Sequence, residues 1–284
     1  MRTDRRPSLR LLLLAPIAFT ALVAVAPDSI VRMPSARADS FLEPSWVRPA
    51  PDGAWYPLGT DYLGRPFAPV LCRALSGSLR VALTGTAAVV LGCLAVGIVQ
   101  GSTASRGLEA LVGAGTLGLM AVPEAAALVT LATSWPSTAP PWRVNASMVA
   151  VLVVFAIPAG ARLIAERVRT VGRSGFVAAS RSCGATAAHT FRREVWPHLV
   201  EDVGWIGATV LPRFVAVEVG LAYLGVEYRE FEGLGRVLAK SFANIGVGTA
   251  VFQMLVTIAA ILWLALLPQL VARPSASDVS AVVG

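Results

Sequence analysis

Gly175–Leu199 reads GFVAASRSCGATAAHTFRREVWPHL. It carries Arg181, Arg192 and Arg193 among apolar positions and separates two long hydrophobic runs. Phe176–Arg193 has helical composition. Gly184-Ala185-Thr186 supplies a breaker followed by a hydroxyl residue suited to cap a new helix. The stretch therefore predicts a short helix, a turn, and a second helix leading to Pro197. Two readings of its role stand side by side. Either it lies on lipid head groups, held there by its arginines, or it is a docking element for a soluble protein.

The rest of the chain decides what surrounds this insert. Its 284 residues are 55% hydrophobic and only 14% charged, with a mean hydropathy of +0.67. A soluble domain carries about 25% charged residues, so the composition predicts an all-α integral membrane protein. The net charge of +7 comes mostly from arginines set between hydrophobic runs, which fits control of membrane topology. No basic–aromatic stripe accompanies the charge, so no nucleic-acid partner is expected. Cys72, Cys93 and Cys183 form no CxxC pair, and His189 and His198 have no cluster of ligand-type residues around them. No metal site is expected.

Leu11–Ala26 follows a basic start and is short for a span of about 20 residues. Ala24-Val25-Ala26 and Ala36-Arg37-Ala38 resemble signal-peptide cleavage sites, so residues 1–26 read as either a cleaved leader or a retained first helix. Residues 27–79 are polar and proline-rich, with Trp46, Trp55 and Tyr56 interleaved. Val81–Val99 is an uncharged run with several Gly and Ala positions, predicting a transmembrane helix packed through small residues.

Ala110–Thr133 follows, interrupted by Pro123-Glu124. A carboxylate facing acyl chains costs about 2.5 kcal/mol or more, so Glu124 is expected to face protein or a water-filled path. Pro136–Asn145 reads as a turn region. Met148–Ala165 is the next span, expected to end around Pro158 and Arg162. Val203–Leu224 contains Pro212, Arg213 and Glu218, and two charges in one span suggest a cavity-lining helix. Those charges lie about 140° apart around an ideal helix and should not pair with each other. A polar loop, Val226–Val247, leads to the last span, Thr249–Ala272, and a polar tail, 274–284.

Six spans result if the first is retained. The loop at 163–199 holds six arginines against Glu166 and Glu194. The positive-inside rule places that loop, and with it both termini, in the cytoplasm. The implied location is a cell (inner) membrane.

Read in frame, Phe176-Val177-Ala178-Ala179-Ser180-Arg181-Ser182-Cys183-Gly184-Ala185-Thr186, with Pro197 thirteen residues after Gly184, resembles the cytoplasmic EAA loop of ABC-transporter permeases. The class it is most similar to is the dipeptide/oligopeptide/nickel class. Arg193 matches the basic residue before that family's Pro. Pro158, Ala161, Arg162, Leu163 and Val168 match the end of the preceding helix. Glu218-Val219-Gly220-Leu221-Ala222-Tyr223-Leu224-Gly225 looks like the family's Glu-Ala-Ser-Leu-Ser-Phe-Leu-Gly segment, and Gly235-Arg236-Val237-Leu238 stands where Trp-Gly-x-Met-Leu is usual. Pro57-Leu58-Gly59-Thr60-Asp61-Tyr62-Leu63-Gly64-Arg65 resembles its HPLGTDxLGRD element, and Ala121-Val122-Pro123 sits where Ala-Phe-Pro is usual. The likeness runs over roughly 56–238.

The resemblance implies retention of the first helix, a permease core at 80–273, and import. It implies a coupling helix seated in the groove of a soluble ATPase subunit through Phe176, Val177, Ala178, Ala179, Arg181, Gly184, Ala185 and Arg193. A second, homologous permease subunit and an extracytoplasmic solute-binding protein would complete the complex. Glu124, Arg213 and Glu218 become candidates to line the translocation path. No GxxxxGK[ST] occurs in the chain, so no catalytic residue is expected here, and ATP and magnesium belong to the partner ATPase. Two departures stand out. Ala178 occupies the usual Glu position of the EAA pattern, and Arg213 is unusual in its span. Both imply a divergent member, with docking carried by neighbouring arginines or with transport altered or lost.

Overall fold

Long apolar runs in which Gly, Ala and Leu outnumber charged residues favour helices, because a helix satisfies its own backbone polar groups. The computed structural model describes residues 39–102, 106–136, 138–226 and 232–271. Among them no strand occurs beyond one isolated bridge between Thr60 and Pro66. The helices are α1 (Phe67–Ser102), α2 (Arg106–Ala121), α3 (Glu124–Ser134), α4 (Pro141–Gly172), α5 (Gly175–Ser182), α6 (Ala187–Thr190), α7 (Trp196–Tyr223), α8 (Leu234–Ala243) and α9 (Gly248–Val271). Four stretches are long and apolar enough to cross a membrane: Phe67–Ser102, Pro141–Gly172, Ala187–Tyr223 and Gly248–Leu266. The expected first span at 1–26 and the tail at 274–284 lie outside the described residues.

Several expected boundaries move, each for a local reason. Ala110–Thr133 is not one straight helix, though its two halves together are long and apolar enough to count as one bent span. Pro123 lacks an N–H and disfavours helix at Val122, so Ala110–Ala121 and Glu124–Ser134 meet at a 75° bend. The expected turn region is shortened, because α4 already begins at Pro141 with Pro at its first position, where a missing N–H costs nothing. Pro158 does not end α4 but is buried within it. The helix runs on because Ala161, Ile164, Ala165, Val168 and Val171 recur at helical spacing and are all buried. Residues 163–172 therefore belong to a helix, not to a loop. In Val226–Val247, Leu234, Val237, Leu238 and Ser241 form a second such stripe, and α8 forms where a polar loop was expected.

The described chain divides into two compact units. In the unit of Ala82–Phe214, α1 and α4 approach through missing side chains. A Cβ added at Gly97 would lie 2.7 Å from the Ala161 carbonyl oxygen, and one at Gly101 would lie 2.8 Å from that of Ala165. Close helix contact through small residues is how helices associate where lipid removes the usual hydrophobic driving force.

In the unit of residues up to Val81 with Val215–Leu267, the Pro57–Arg65 stretch folds as a tight knot. Gly59 and Gly64 have φ of 74° and 72°, and a Cβ at Gly59 would meet the Leu42 carbonyl oxygen at 2.3 Å. Asp61 Oδ1 accepts the N–H groups of Leu63 (2.9 Å) and Arg65 (2.8 Å). Arg65 donates to Asp61 Oδ2 and to Glu232 Oε1, each at 2.8 Å. Gln253 of α9 donates to the Thr60 carbonyl over 2.7 Å. This knot ties the segment before α1 to the last helix.

Candidate functional site

The insert is built as a helix, a turn and a second helix. Ser174 precedes α5 in extended conformation, and its hydroxyl donates back to the Val171 carbonyl at 2.5 Å. At the far end Gly184 has φ of +85°. Its N–H donates to the Arg181 carbonyl (2.9 Å), and the N–H of Ala185 donates to that of Ser180 (3.2 Å). This pair of bonds is the Schellman closure, which needs a left-handed residue and so favours Gly. Thr186 then caps α6 by accepting the His189 N–H at 3.3 Å.

Pro197 does not terminate the second helix. Phe191–Val195 winds as a π-helical turn just before it, a widening that accommodates the N–H missing at Pro197. The helix then continues as α7 to Tyr223.

The sequence reading missed what fixes the base of the insert. Arg167, near the end of α4, makes a bidentate pair with Asp202, in the second turn of α7. Its Nε donates to Oδ2 at 2.8 Å and its Nη2 to Oδ1 at 2.9 Å. The Asp202 side chain is 8% exposed and that of Arg167 is 42% exposed. A planar fork against a carboxylate fixes direction as well as distance. The signal in the sequence was partial: Glu201 and Asp202 stand together at the edge of the expected span, and whichever is buried needs a partner.

The proposed contact residues divide by face. Val177 is fully buried, with Val195 and Leu199 also inside, so its side chain anchors α5 to its own unit. Phe176, Ala178, Ala179, Arg181, Gly184 and Arg193 are exposed, and Ala185 is partly so. Phe176 is 48% exposed and its ring lies 6.4 Å from that of His198. Trp196 and Val200 are also exposed nearby in sequence. The outward face is therefore apolar at Phe176 and basic at Arg181 and Arg193.

Arg213 and Glu218 do not pair with each other, as their spacing predicted. Arg213 Nη2 donates to Glu124 Oε2 at 2.5 Å, joining α7 to the first turn of α3 beside the 75° bend. The side chains are 42% and 22% exposed. Glu218 is instead enclosed in the other unit at 6% exposure. Its Oε1 accepts the Ser78 hydroxyl at 2.8 Å, and Ser78 Oγ accepts the Leu234 N–H at 2.9 Å. The carboxylate also accepts the Gly235 N–H. Glu218 thus serves the N-terminus of α8, where its carboxyl oxygens accept an otherwise unpaired N–H group. Gly233 completes the fit, since a Cβ there would fall 1.8 Å from Glu218 Oε1.

No group of His, Cys, Asp and Glu suited to a metal occurs among the described residues. No protein-family model matches this chain, and the curated proteins contain no match to it. The described part is an all-helical protein with the long apolar helices of a membrane protein.

Proposed function

We propose that this chain is the membrane-spanning permease subunit of an ATP-driven ABC importer of the dipeptide/oligopeptide/nickel class. The reading rests on the sequence resemblance. The observation that carries it furthest is the insert between α4 and α7: a short exposed helix closed at Gly184, with its base held by Arg167 and Asp202. A lever of this kind transmits force only if its root is rigid, and a bidentate ion pair supplies such a root. The ATPase subunit would receive Phe176 in an apolar groove and pair acidic groups with Arg181 and Arg193. ATP-driven closure of two ATPases would then move two permease subunits between inward- and outward-facing states. Di- or oligopeptides are the favoured cargo within that class, with nickel chelates or another small solute as the alternative.

Co-purification of a soluble ATPase subunit with the chain from its native membrane tests this reading. Phe176→Asp is expected to abolish retention while leaving membrane insertion and melting temperature unchanged, because Phe176 is half exposed. Equal retention of wild type and variant would refute docking through α5.

One observation favours a second reading, a non-transporting scaffold of the same complex. Ala178 is exposed on α5, so the position where the family carries Glu presents only a methyl group. Ala178→Glu separates the two. A gain in solute-coupled ATP hydrolysis supports a weakly coupled permease; ATP hydrolysis without solute movement in both forms supports the scaffold.

A further inference from the structure

The unit of Ala82–Phe214 contains a cleft remote in sequence from the insert's tip. It has a volume of about 420 Å³ and is lined by Gln100, Gly113, Arg162, Ala165, Glu166 and Arg169. Clefts that hold small ligands begin at about 300 Å³. Gln100 lies in the last turn of α1, and Arg162 to Arg169 occupy the closing turns of α4. The cleft therefore sits where two long apolar helices end, the level at which a bilayer's head groups would lie.

Its chemistry is mixed in a specific way. Arg162 and Arg169 bring two guanidinium groups. Arg169 donates to the Gln100 carbonyl at 3.2 Å and stands 3.9 Å from Glu166. Glu166 brings one carboxylate, 72% exposed. Gln100 is 8% exposed, and its Oε1 is buried with no hydrogen-bond partner among the described residues. Buried acceptors are rarely left unmatched, and each one calls for a donor. A ligand suited to this cleft presents a phosphate to the arginines and an N–H donor to the exposed Glu166 carboxylate.

We propose that the cleft binds a phosphoethanolamine group, supplied by a zwitterionic phospholipid whose acyl chains lie along α1 and α4. The guanidinium groups would hold the phosphate as charge-assisted hydrogen bonds. The ammonium would meet the Glu166 carboxylate. This inference is independent of ATPase docking, since none of these residues belongs to α5 or α6.

The test is native mass spectrometry of the purified chain in detergent, titrated with phosphatidylethanolamine, phosphatidylglycerol or soluble phosphoethanolamine. Wild type is expected to retain phosphatidylethanolamine about tenfold better than phosphatidylglycerol, a difference of one decade in affinity. Arg162→Ala should lose that adduct, whereas Arg162→Lys, which keeps the charge, should keep part of it at an unchanged melting temperature. Glu166→Gln should bind the two lipids alike. Gln100→Leu should melt no lower than wild type in the absence of lipid, because the unmatched acceptor is gone. Displacement of the lipid by equimolar soluble phosphoethanolamine would overturn the lipid source. A full adduct on a folded Arg162→Ala variant, or equal binding of both lipids by wild type, would overturn the site.

Discussion

Glu124 and Glu218 are carboxylates placed in apolar stretches, and the structure satisfies them by different means. Glu124 stands in the first turn of α3 at a bend and meets a full opposite charge, Arg213, with both side chains partly exposed. Glu218 is 6% exposed. It is held by the Ser78 hydroxyl and by the Gly235 N–H at the start of α8. The contrast separates two kinds of work. An ion pair between partly exposed groups is a reversible link whose value depends on its surroundings. A buried carboxylate on a helix terminus fixes where that helix starts, and removing it strands several donors at once.

The largest expected effect tests the enclosed site. Gly233→Ala would place a methyl group on the Glu218 carboxylate and is expected to destabilise by about 3 kcal/mol or more, as overpacking at a rigid contact does. Thermal unfolding in detergent measures it, and an unchanged melting temperature would show that the contact relaxes freely.

Next comes Glu218→Ala, which leaves the Ser78 hydroxyl and the Gly235 N–H without their acceptor. A loss of about 2 kcal/mol is expected, with earlier hydrogen exchange at the first turn of α8. Unaltered stability together with altered solute transport would return Glu218 to the lining of a path.

The Glu124–Arg213 link should be weaker. A double-mutant cycle with Glu124→Ala and Arg213→Ala is expected to give a coupling energy below about 1 kcal/mol in detergent, because both groups are partly exposed. A coupling as large as the Glu218 effect would erase the distinction between the two sites.

The smallest effect concerns a carboxylate outside the spans. The Tyr56 hydroxyl donates to Asp52 Oδ2 at 2.6 Å. That bond holds the Asp52 carboxyl below its ordinary value and the Tyr56 phenol above its own. The Asp52 contribution is present above pH about 3.9 and is lost as pH falls through the lower folded value. The Tyr56 contribution is present below pH about 10 and is lost as pH rises through the higher folded value. Phenolate absorbance should therefore titrate at higher pH in wild type than in Asp52→Asn. Identical titrations would show that the bond does not persist in solution.

Much of the insert could be read directly from residues. Gly184 followed by Ala185 and Thr186 spells a left-handed helix end and a new cap, and both are formed. These are local devices that depend on a few consecutive residues. The glycines of α1 likewise announced close packing, though not against which helix. Proline was a poorer guide. Pro123 breaks the chain, whereas Pro158, Pro197 and Pro212 are carried inside or at the edge of continuing helices. Whether a proline ends a helix depends on whether the turns beyond it find an apolar surface to cover. Residues 163–172 and 234–243 found one, so a presumed loop and a presumed polar link became helices.

By itself the sequence determined the helical, membrane-like character of the chain, the place of the insert and its internal turn. Composition, hydropathy and capping act over short distances. Tertiary structure decided the pairings: Arg167 with Asp202, Arg213 with Glu124, and Glu218 with Ser78 and the start of α8. The three side-chain pairs join residues 35, 89 and 140 positions apart. Which charge meets which is settled by how helices pack, and single-residue chemistry leaves several partners open. Burial then decides whether a carboxylate takes a cation or a helix terminus.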